Sequence, residues 1–128
     1  MKKVYISSEK TNAPLSGAIE VNGFVYVSGQ IHLSQGQLKG ETIEEQFEVA
    51  ITNVKNILSE AGLTLNDVVR VQLYLTDLSR LPALNKVYLS YFSHPLPVRT
   101  AIGVTSLPLN ASLEVDVIAA RANEGSNL

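Results

Sequence analysis

One guanidinium and one carboxylate stand out because each interrupts an apolar strand pattern near the C-terminus. In LPVRTAIGVTSLPLNASLEVDVIA, residues 96–119, Arg99 opens the first predicted strand and Glu114 lies inside the second. Consecutive strands usually lie side by side, so the pattern predicts that Arg99 and Glu114 are neighbours. Three interpretations stay open: a solvated face, a structural salt bridge that satisfies a costly buried charge, or a site. In a site, Arg99 would grip a substrate carboxylate with its fork and Glu114 would orient or deprotonate water.

Three further polar or glycine positions could take part in such a site. Ser28 and Gly29 follow a strand in VSGQI, where glycine permits close approach of a ligand but also fits an ordinary bulge. Asn85 lies inside the second predicted helix, where it either hydrogen-bonds a neighbour or faces solvent. The two histidines, His32 and His94, have no partner at metal-ligand spacing and are predicted to be loop residues. The sequence has no P-loop, dinucleotide fingerprint or nucleophile elbow.

Composition restricts the class of protein. The 128 residues are predicted to form one domain, residues 1–128, and the 45% hydrophobic fraction can build a packed core. A net charge of −2 disfavours nucleic-acid binding, and the absence of cysteine excludes disulfides and thiolate chemistry. The sequence has no signal-peptide or membrane-span pattern, so a cytoplasmic location is predicted. The polar residues 123–128 are predicted to be a flexible tail.

The elements before residue 63 have clear local signals. Asn22-Gly23 separates two alternating runs and predicts a hairpin with a type I′ turn. Thr42 and Glu45 fit a capping box at the start of a helix, and Gly62 fits its C′ position. The predicted core face of this helix comprises Ile43, Phe47, Ala50, Ile51, Val54, Ile57 and Ala61.

The second half continues with a strand, a helix and two strands. VVRVQLYLT, residues 68–76, alternates between a core face and a polar face. The helix in LSRLPALNKVYLSYF, residues 78–92, is followed by His94-Pro95, which stops it. The predicted core positions of these two elements are Val69, Val71, Leu73 and Leu75 in the strand, and Leu81, Leu84, Val87, Tyr88 and Tyr91 in the helix.

The element order β-β-α-β-α-β-β predicts an α+β fold, a single sheet with both helices packed on one face. The opposite face is mixed, too apolar for pure surface and too polar for a core. Its members include Gln72, Tyr74, Glu114, Asp116 and Ile118. The simplest arrangement is that this face packs against other copies of the chain, with the polar groups in clefts between subunits.

Several motifs, in order along the chain, resemble the Rid family of reactive intermediate deaminases, also called YjgF or L-PSP proteins. The C-terminal match is PVRTAIGVTSLPLNASLEVDVIA, a Pro-x-Arg followed by an apolar strand, a Leu-Pro loop and an apolar-Glu-apolar strand. VSGQI, NVKNILSEAGLTLNDVVRVQLYLTDL and LNKVYLSYF match as well. The resemblance extends from about Ile6 to Ala122.

This resemblance implies a chorismate-mutase-like fold and a homotrimer with clefts between subunits. It also implies hydrolysis of 2-imino acids, or their 2-enamino tautomers, to 2-keto acids and ammonia without a metal or organic cofactor. The partners would then be small 2-imino or 2-keto acids, with no nucleic acid and no membrane. The implied roles are substrate-carboxylate binding for Arg99, water orientation for Glu114, cleft lining for Ser28, Gly29 and Asn85, and a backbone contact to the ligand for Ala101.

Three positions depart from the family pattern. Leu15 stands where these deaminases usually have tyrosine, Ala101 where cysteine is common, and Leu96 where an aromatic residue precedes Pro97. Losing the tyrosine hydroxyl removes a polar contact and opens the pocket, so substrate preference is expected to differ. The alternatives are a non-catalytic binder of small carboxylates, favoured by Leu15 and Ala101, a ribonuclease or translation inhibitor, disfavoured by the acidic pI, and a chaperone role.

Overall fold

The computed structural model of the protein describes residues 1–6 and 13–122, so the predicted flexible tail at residues 123–128 lies outside the described residues. The strands are β1 (Lys3–Tyr5), β2 (Ala18–Val21), β3 (Phe24–Ile31), β4 (Leu33–Ser34), β5 (Gln37–Leu38), β6 (Val68–Leu75), β7 (Val98–Gly103) and β8 (Leu113–Ala120). The α-helices of the described residues are α1 (Ile43–Glu60) and α2 (Leu81–Tyr88). The predicted α+β architecture is confirmed, with β1 and the small β4–β5 hairpin added to the predicted elements.

The main sheet has six strands in the order β1-β2-β3-β8-β6-β7. All neighbours are antiparallel except β6 and β7, which are parallel and joined through α2 as a crossover. The prediction that the last two strands lie side by side is wrong. β8 instead inserts between β3 and β6, where it gains two hydrogen-bonded partners rather than one.

The hairpin and the first helix form as their local signals predict. Asn22 and Gly23 have φ angles of 52° and 82°, as a type I′ turn requires. The Thr42 hydroxyl accepts from the backbone N–H of Glu45, and the Glu45 carboxylate accepts from the backbone N–H of Thr42, which completes the capping box. At the other end Gly62, with a φ of 72°, closes the helix as its C′ residue.

The core lies between the sheet and the two helices. Every predicted core residue of α1 is buried, including Phe47 and Ile51. In the second helix Leu84 and Tyr88 are buried, while Leu81, Val87 and Tyr91 pack against the core at partial exposure. The two helices therefore cover one face of the sheet, as predicted, although α2 ends at Tyr88.

The prediction that Val69 of β6 lies in the core is wrong. Val69 is exposed, whereas Val68, Val71, Leu73 and Leu75 are buried. The register against β8 shifts between Val68 and Arg70, so Val69 is the extra residue of a β-bulge. A bulge of this kind breaks the strict alternation on which the prediction depended.

Candidate functional site

Arg99 and Glu114 lie on opposite faces of the sheet. Arg99 is in register with Val71, which points to the helices, whereas Glu114 is in register with Tyr74, which points to the open face. Two strand spacings and three residues along the strand separate them, which places their Cα atoms roughly 14 Å apart. The predicted pairing of Arg99 with Glu114 within one chain is therefore wrong, because β6 lies between their strands.

Arg99 lines a cavity at the junction of α2 and β7. We call this cavity of about 250 Å³ the arginine pocket. Its lining residues are Asn85, Tyr88, Leu89, Leu96, Pro97 and Arg99. Two predicted site residues, Arg99 and Asn85, thus come together here, and Leu96, a position of departure from the family pattern, forms part of the wall.

Polar atoms of the arginine pocket are left without protein partners. Among the described residues, the guanidinium of Arg99 has no hydrogen bond or ion pair, and its Cζ lies 4.8 Å from the ring centroid of Tyr88. The Oδ1 of Asn85 and the hydroxyl of Tyr88 are buried and have no hydrogen-bond partner in the same part of the chain. A guanidinium with a free fork beside apolar walls is suited to a small carboxylate.

Glu114 lies on the open face directly against Gly29. The register of β3 against β8 shifts between Val27 and Gln30, so Gly29 belongs to a bulge that brings its backbone close to Glu114. A Cβ built on Gly29 would lie 2.8 Å from Cδ of Glu114 and would collide with Oε2. Only glycine leaves room for the carboxylate in this position.

Ser28 connects this bulge to the loop that carries Leu15. The Ser28 hydroxyl donates to the carbonyl of Ser16 at 2.6 Å, and the Ser28 backbone N–H donates to the carbonyl of Gly17 at 2.9 Å. Leu15 and Ser28 consequently line one cavity of about 330 Å³. We give the name carboxylate cluster to Glu114, to Gly29 against it, and to Ser28 and Leu15, which line the cavity beside this bulge. The remaining predicted site residue, Ala101, lies elsewhere.

The environment of Glu114 raises the pKa of its carboxyl group. Burial raises the pKa of the Glu114 carboxyl above its usual value of 4.5, and the nearby charge of Asp116 raises it further. Burial also raises the pKa of Asp116, although the hydroxyl of Tyr74, 2.9 Å from its Oδ2, and the charge of Arg70 act in the opposite direction. A raised pKa makes the carboxylate a stronger base, which suits it to accept a proton and return it.

Both histidines are predicted to be loop residues, and the structure supports this for His94 but not fully for His32. His32 is a buried structural residue rather than a simple loop residue, since only 3% of its surface is exposed. Its Nδ1 lies 2.9 Å from the carbonyl of Lys39, and its Nε2 accepts from the backbone N–H of Ser112. These bonds fix the segment that leads into β8, two residues before Glu114. His94 lies in the exposed loop between α2 and β7, as predicted.

Ala101 lies on the helix side of β7, two residues beyond Arg99. It is in register with Leu73 and packs at partial exposure against the core. Ala101 does not line the arginine pocket. The residue that sequence reasoning missed is Tyr88: its apolar spacing placed it in the core, and no local signal reveals that its ring also lies under Arg99.

The two groups of site residues therefore have complementary chemistry and separate positions. The arginine pocket can hold a carboxylate, and the carboxylate cluster can exchange a proton. Because they lie on opposite faces of one sheet, a ligand the size of a small acid cannot touch both within a single chain. No helix in the described part of the chain is long and apolar enough to cross a membrane.

The chain is similar to known proteins over most of its length. The sequence profile of the family described as Endoribonuclease L-PSP matches residues 6–121. The mitochondrial protein MMF1 of Saccharomyces cerevisiae is 41% identical over 112 residues, which are 87% of this chain and 77% of that protein. A protein of Dermatophagoides farinae named 2-iminobutanoate/2-iminopropanoate deaminase is 34% identical over 107 residues, 82% of this chain and 84% of its own.

Solved structures share the fold as well. The crystal structure of E. coli TdcF with bound serine matches with a TM-score of 0.79 at 30% identity, covering 86% of this chain and 90% of that one. MMF1 is a mitochondrial protein, and the cytoplasmic location of this chain stays a prediction.

Proposed function

Because the chain belongs to the Rid family, also called YjgF or L-PSP, we propose that it hydrolyses 2-imino acids to 2-keto acids and ammonia. The observation that carries the proposal is the free fork of Arg99, which has no ion pair among the described residues and lines a pocket of the size of a small acid. The deaminase name of one relative and the serine bound to another support a substrate of amino-acid size. The specific substrates proposed are 2-iminobutanoate and 2-iminopropanoate.

In the proposed reaction, the substrate carboxylate pairs with Arg99, which fixes the position of the imine carbon. Glu114 accepts a proton from a water molecule while the oxygen of this water attacks the imine carbon, and the C=N double bond becomes a single bond. Glu114 returns this proton to nitrogen, which gives a carbinolamine. Glu114 then moves the hydroxyl proton to the same nitrogen as the C–N bond breaks, so ammonia leaves and the C=O bond of the 2-keto acid forms. A positioned general base of this kind contributes roughly 10²–10⁴-fold to the rate.

The proposed site is assembled from two copies of the chain in a homotrimer. The arginine pocket of one copy would meet the carboxylate cluster of the next, which removes the difficulty that both cannot act within one chain. The open face supports such an assembly, since it exposes large apolar residues around its polar centre. They are Val4, Phe24, Tyr26, Val98 and Ile102, each between 43% and 62% exposed.

The test is a trapping assay. An amino-acid oxidase generates 2-iminopropanoate in situ, semicarbazide traps it, and the protein is expected to lower the trapped yield. Arg99→Ala is expected to abolish this effect while the protein remains folded. If the wild-type protein leaves the yield unchanged but binds 2-ketobutyrate, the alternative of a non-catalytic carboxylate binder is correct.

A ribonuclease activity has less support, although it appears in the description of the family. The net charge is −2, and the open face carries Glu114 and Asp116 at its centre, both unfavourable for an RNA backbone. RNA cleavage by the wild-type protein that is lost in Arg99→Ala would reverse this order of preference.

A further inference from the structure

The side chain of Arg99 reaches the arginine pocket from an edge strand and has little to hold it there. Arg99 is exposed, and it forms no hydrogen bond or ion pair with the described residues. A free arginine side chain samples many rotamers, and ordering it on binding reduces affinity. Within residues 1–6 and 13–122, the guanidinium stacks on the ring of Tyr88, whose centroid lies 4.8 Å from Cζ.

Tyr88 is itself held rigidly. Only 4% of its surface is exposed. Its ring centroid lies 4.7 Å from that of Phe92 and 5.9 Å from that of Phe47, so aromatic rings pack against it from α1 and from the segment after α2. The ring face beneath Arg99 is therefore a fixed platform attached to the core.

We infer that Tyr88 is a positioning residue for this site: its ring holds the guanidinium of Arg99 so that the fork faces the pocket before a carboxylate arrives. The inference rests on the proposed function for the nature of the ligand. Tyr88 acts through Arg99 and not through its hydroxyl, which is buried without a partner in the described part of the chain. Guanidinium groups stack on aromatic faces by cation–π attraction, which strengthens when water is excluded.

Two substitutions separate the ring from the hydroxyl. Tyr88→Phe keeps the ring, so its Kd for 2-ketobutyrate, measured by calorimetry, is expected to stay within about twofold of the wild type. Tyr88→Leu removes the ring face and is expected to weaken binding roughly tenfold and to raise the KM for the imine to a similar extent. In an Arg99→Lys background, which lacks the planar fork, the same Leu substitution is expected to change Kd by less than about twofold.

A measurement on the wild-type protein tests the inference even if Tyr88→Leu does not fold. The ring current of Tyr88 is expected to shift the side-chain NMR signals of Arg99 upfield, with assignment by comparison with Arg99→Lys. The inference is wrong if that shift is absent. It is also wrong if folded Tyr88→Leu keeps the wild-type Kd and KM, or if Tyr88→Phe is as impaired as Tyr88→Leu.

These outcomes differ from a failure of the proposed function. A wild-type protein that binds 2-ketobutyrate but does not hydrolyse the imine refutes the deaminase proposal, while the contrast between Phe and Leu still supports or overturns the role of Tyr88. A wild-type protein that hydrolyses the imine, with Tyr88→Leu at the wild-type KM, leaves the deaminase proposal intact and overturns the inference.

Discussion

Gly29→Ala is expected to reduce imine hydrolysis without unfolding the protein. The added Cβ would lie 2.8 Å from Cδ of Glu114, whereas non-bonded carbons prefer about 3.5–4.0 Å. The φ of Gly29 lies outside the left-handed region, and the colliding atoms belong to the flexible end of a side chain. The carboxylate is therefore expected to move by about 1 Å while the backbone stays in place. A displacement of that size at a reacting group lowers kcat by about 100-fold.

The assay for Gly29→Ala is the semicarbazide trapping assay, read together with thermal unfolding. Gly103→Ala is the matched control, because its new Cβ would meet the Cβ of Leu78 at an ordinary 3.5 Å. Gly103→Ala is expected to keep the wild-type kcat, and both variants are expected to unfold within a few degrees of the wild type. Wild-type activity in folded Gly29→Ala would refute the assignment of Glu114 as the proton-transferring group.

Three other predictions concern charged groups. Arg99→Lys keeps the charge but loses the two-pronged fork, so the KM is expected to rise about tenfold with a smaller change in kcat, and an unchanged KM in steady-state kinetics would contradict the carboxylate role. Asp116→Asn removes a negative charge that raises the pKa of Glu114, so the acidic limb of the pH–kcat/KM profile is expected to move to lower pH. Burial still raises the pKa of Glu114 in this variant. An acidic limb that stays in place would contradict the coupling between Asp116 and Glu114. The pKa of Glu20 is lowered to about 2, chiefly by its hydrogen bond with Arg121, so its stabilisation is complete above pH 4.5 and is lost as the pH falls from 4.5 towards 2. Urea unfolding measures how much unfolding free energy each protein loses between pH 7 and pH 3. This loss is expected to be about 1 kcal/mol smaller in Glu20→Gln than in the wild type, and equal losses would refute the assignment.

The parts of the fold that the sequence predicts well depend on neighbouring residues. Thr42 and Glu45 are three residues apart and make their two hydrogen bonds to each other's backbone within one helical turn. Asn22 and Gly23 form the turn, and both residue types readily adopt the positive φ angles that it requires. Such signals are contained in short segments, so reading them requires no knowledge of the tertiary structure.

The errors arise where distant segments decide the outcome. The place of β8 between β3 and β6 depends on pairing with segments more than 35 residues earlier, which adjacency in sequence does not reveal. The bulge at Val69 interrupts the alternation of buried and exposed residues by one position, and no glycine or proline marks it in the sequence. The sheet order separates the strands of Arg99 and Glu114, and the registers of both strands against β6 place the two side chains on opposite faces.

Sequence reasoning puts the predicted site residues together, whereas the structure divides them between two places. Arg99 and Asn85 meet in one pocket, and Gly29 lies against Glu114 with Ser28 next to it in the chain. The separation of these two groups follows from the strand order and the registers against β6. The stacking of Arg99 on Tyr88 could not be read from the sequence, because a tyrosine at a core position of a helix has the same pattern whether or not a cation lies over it.

The central claim is that one active site takes Arg99 from one copy and Glu114 from another. Its most direct test is complementation between Arg99→Ala and Glu114→Gln chains, each expected to be inactive alone. After the two variants are unfolded together in equal amounts and refolded, random trimers contain an intact pair at about one quarter of their sites, so about one quarter of the wild-type activity is expected to return. Assembled mixed oligomers with no activity, while the refolded wild type is active, would show that the two residues do not meet between subunits and would contradict the account.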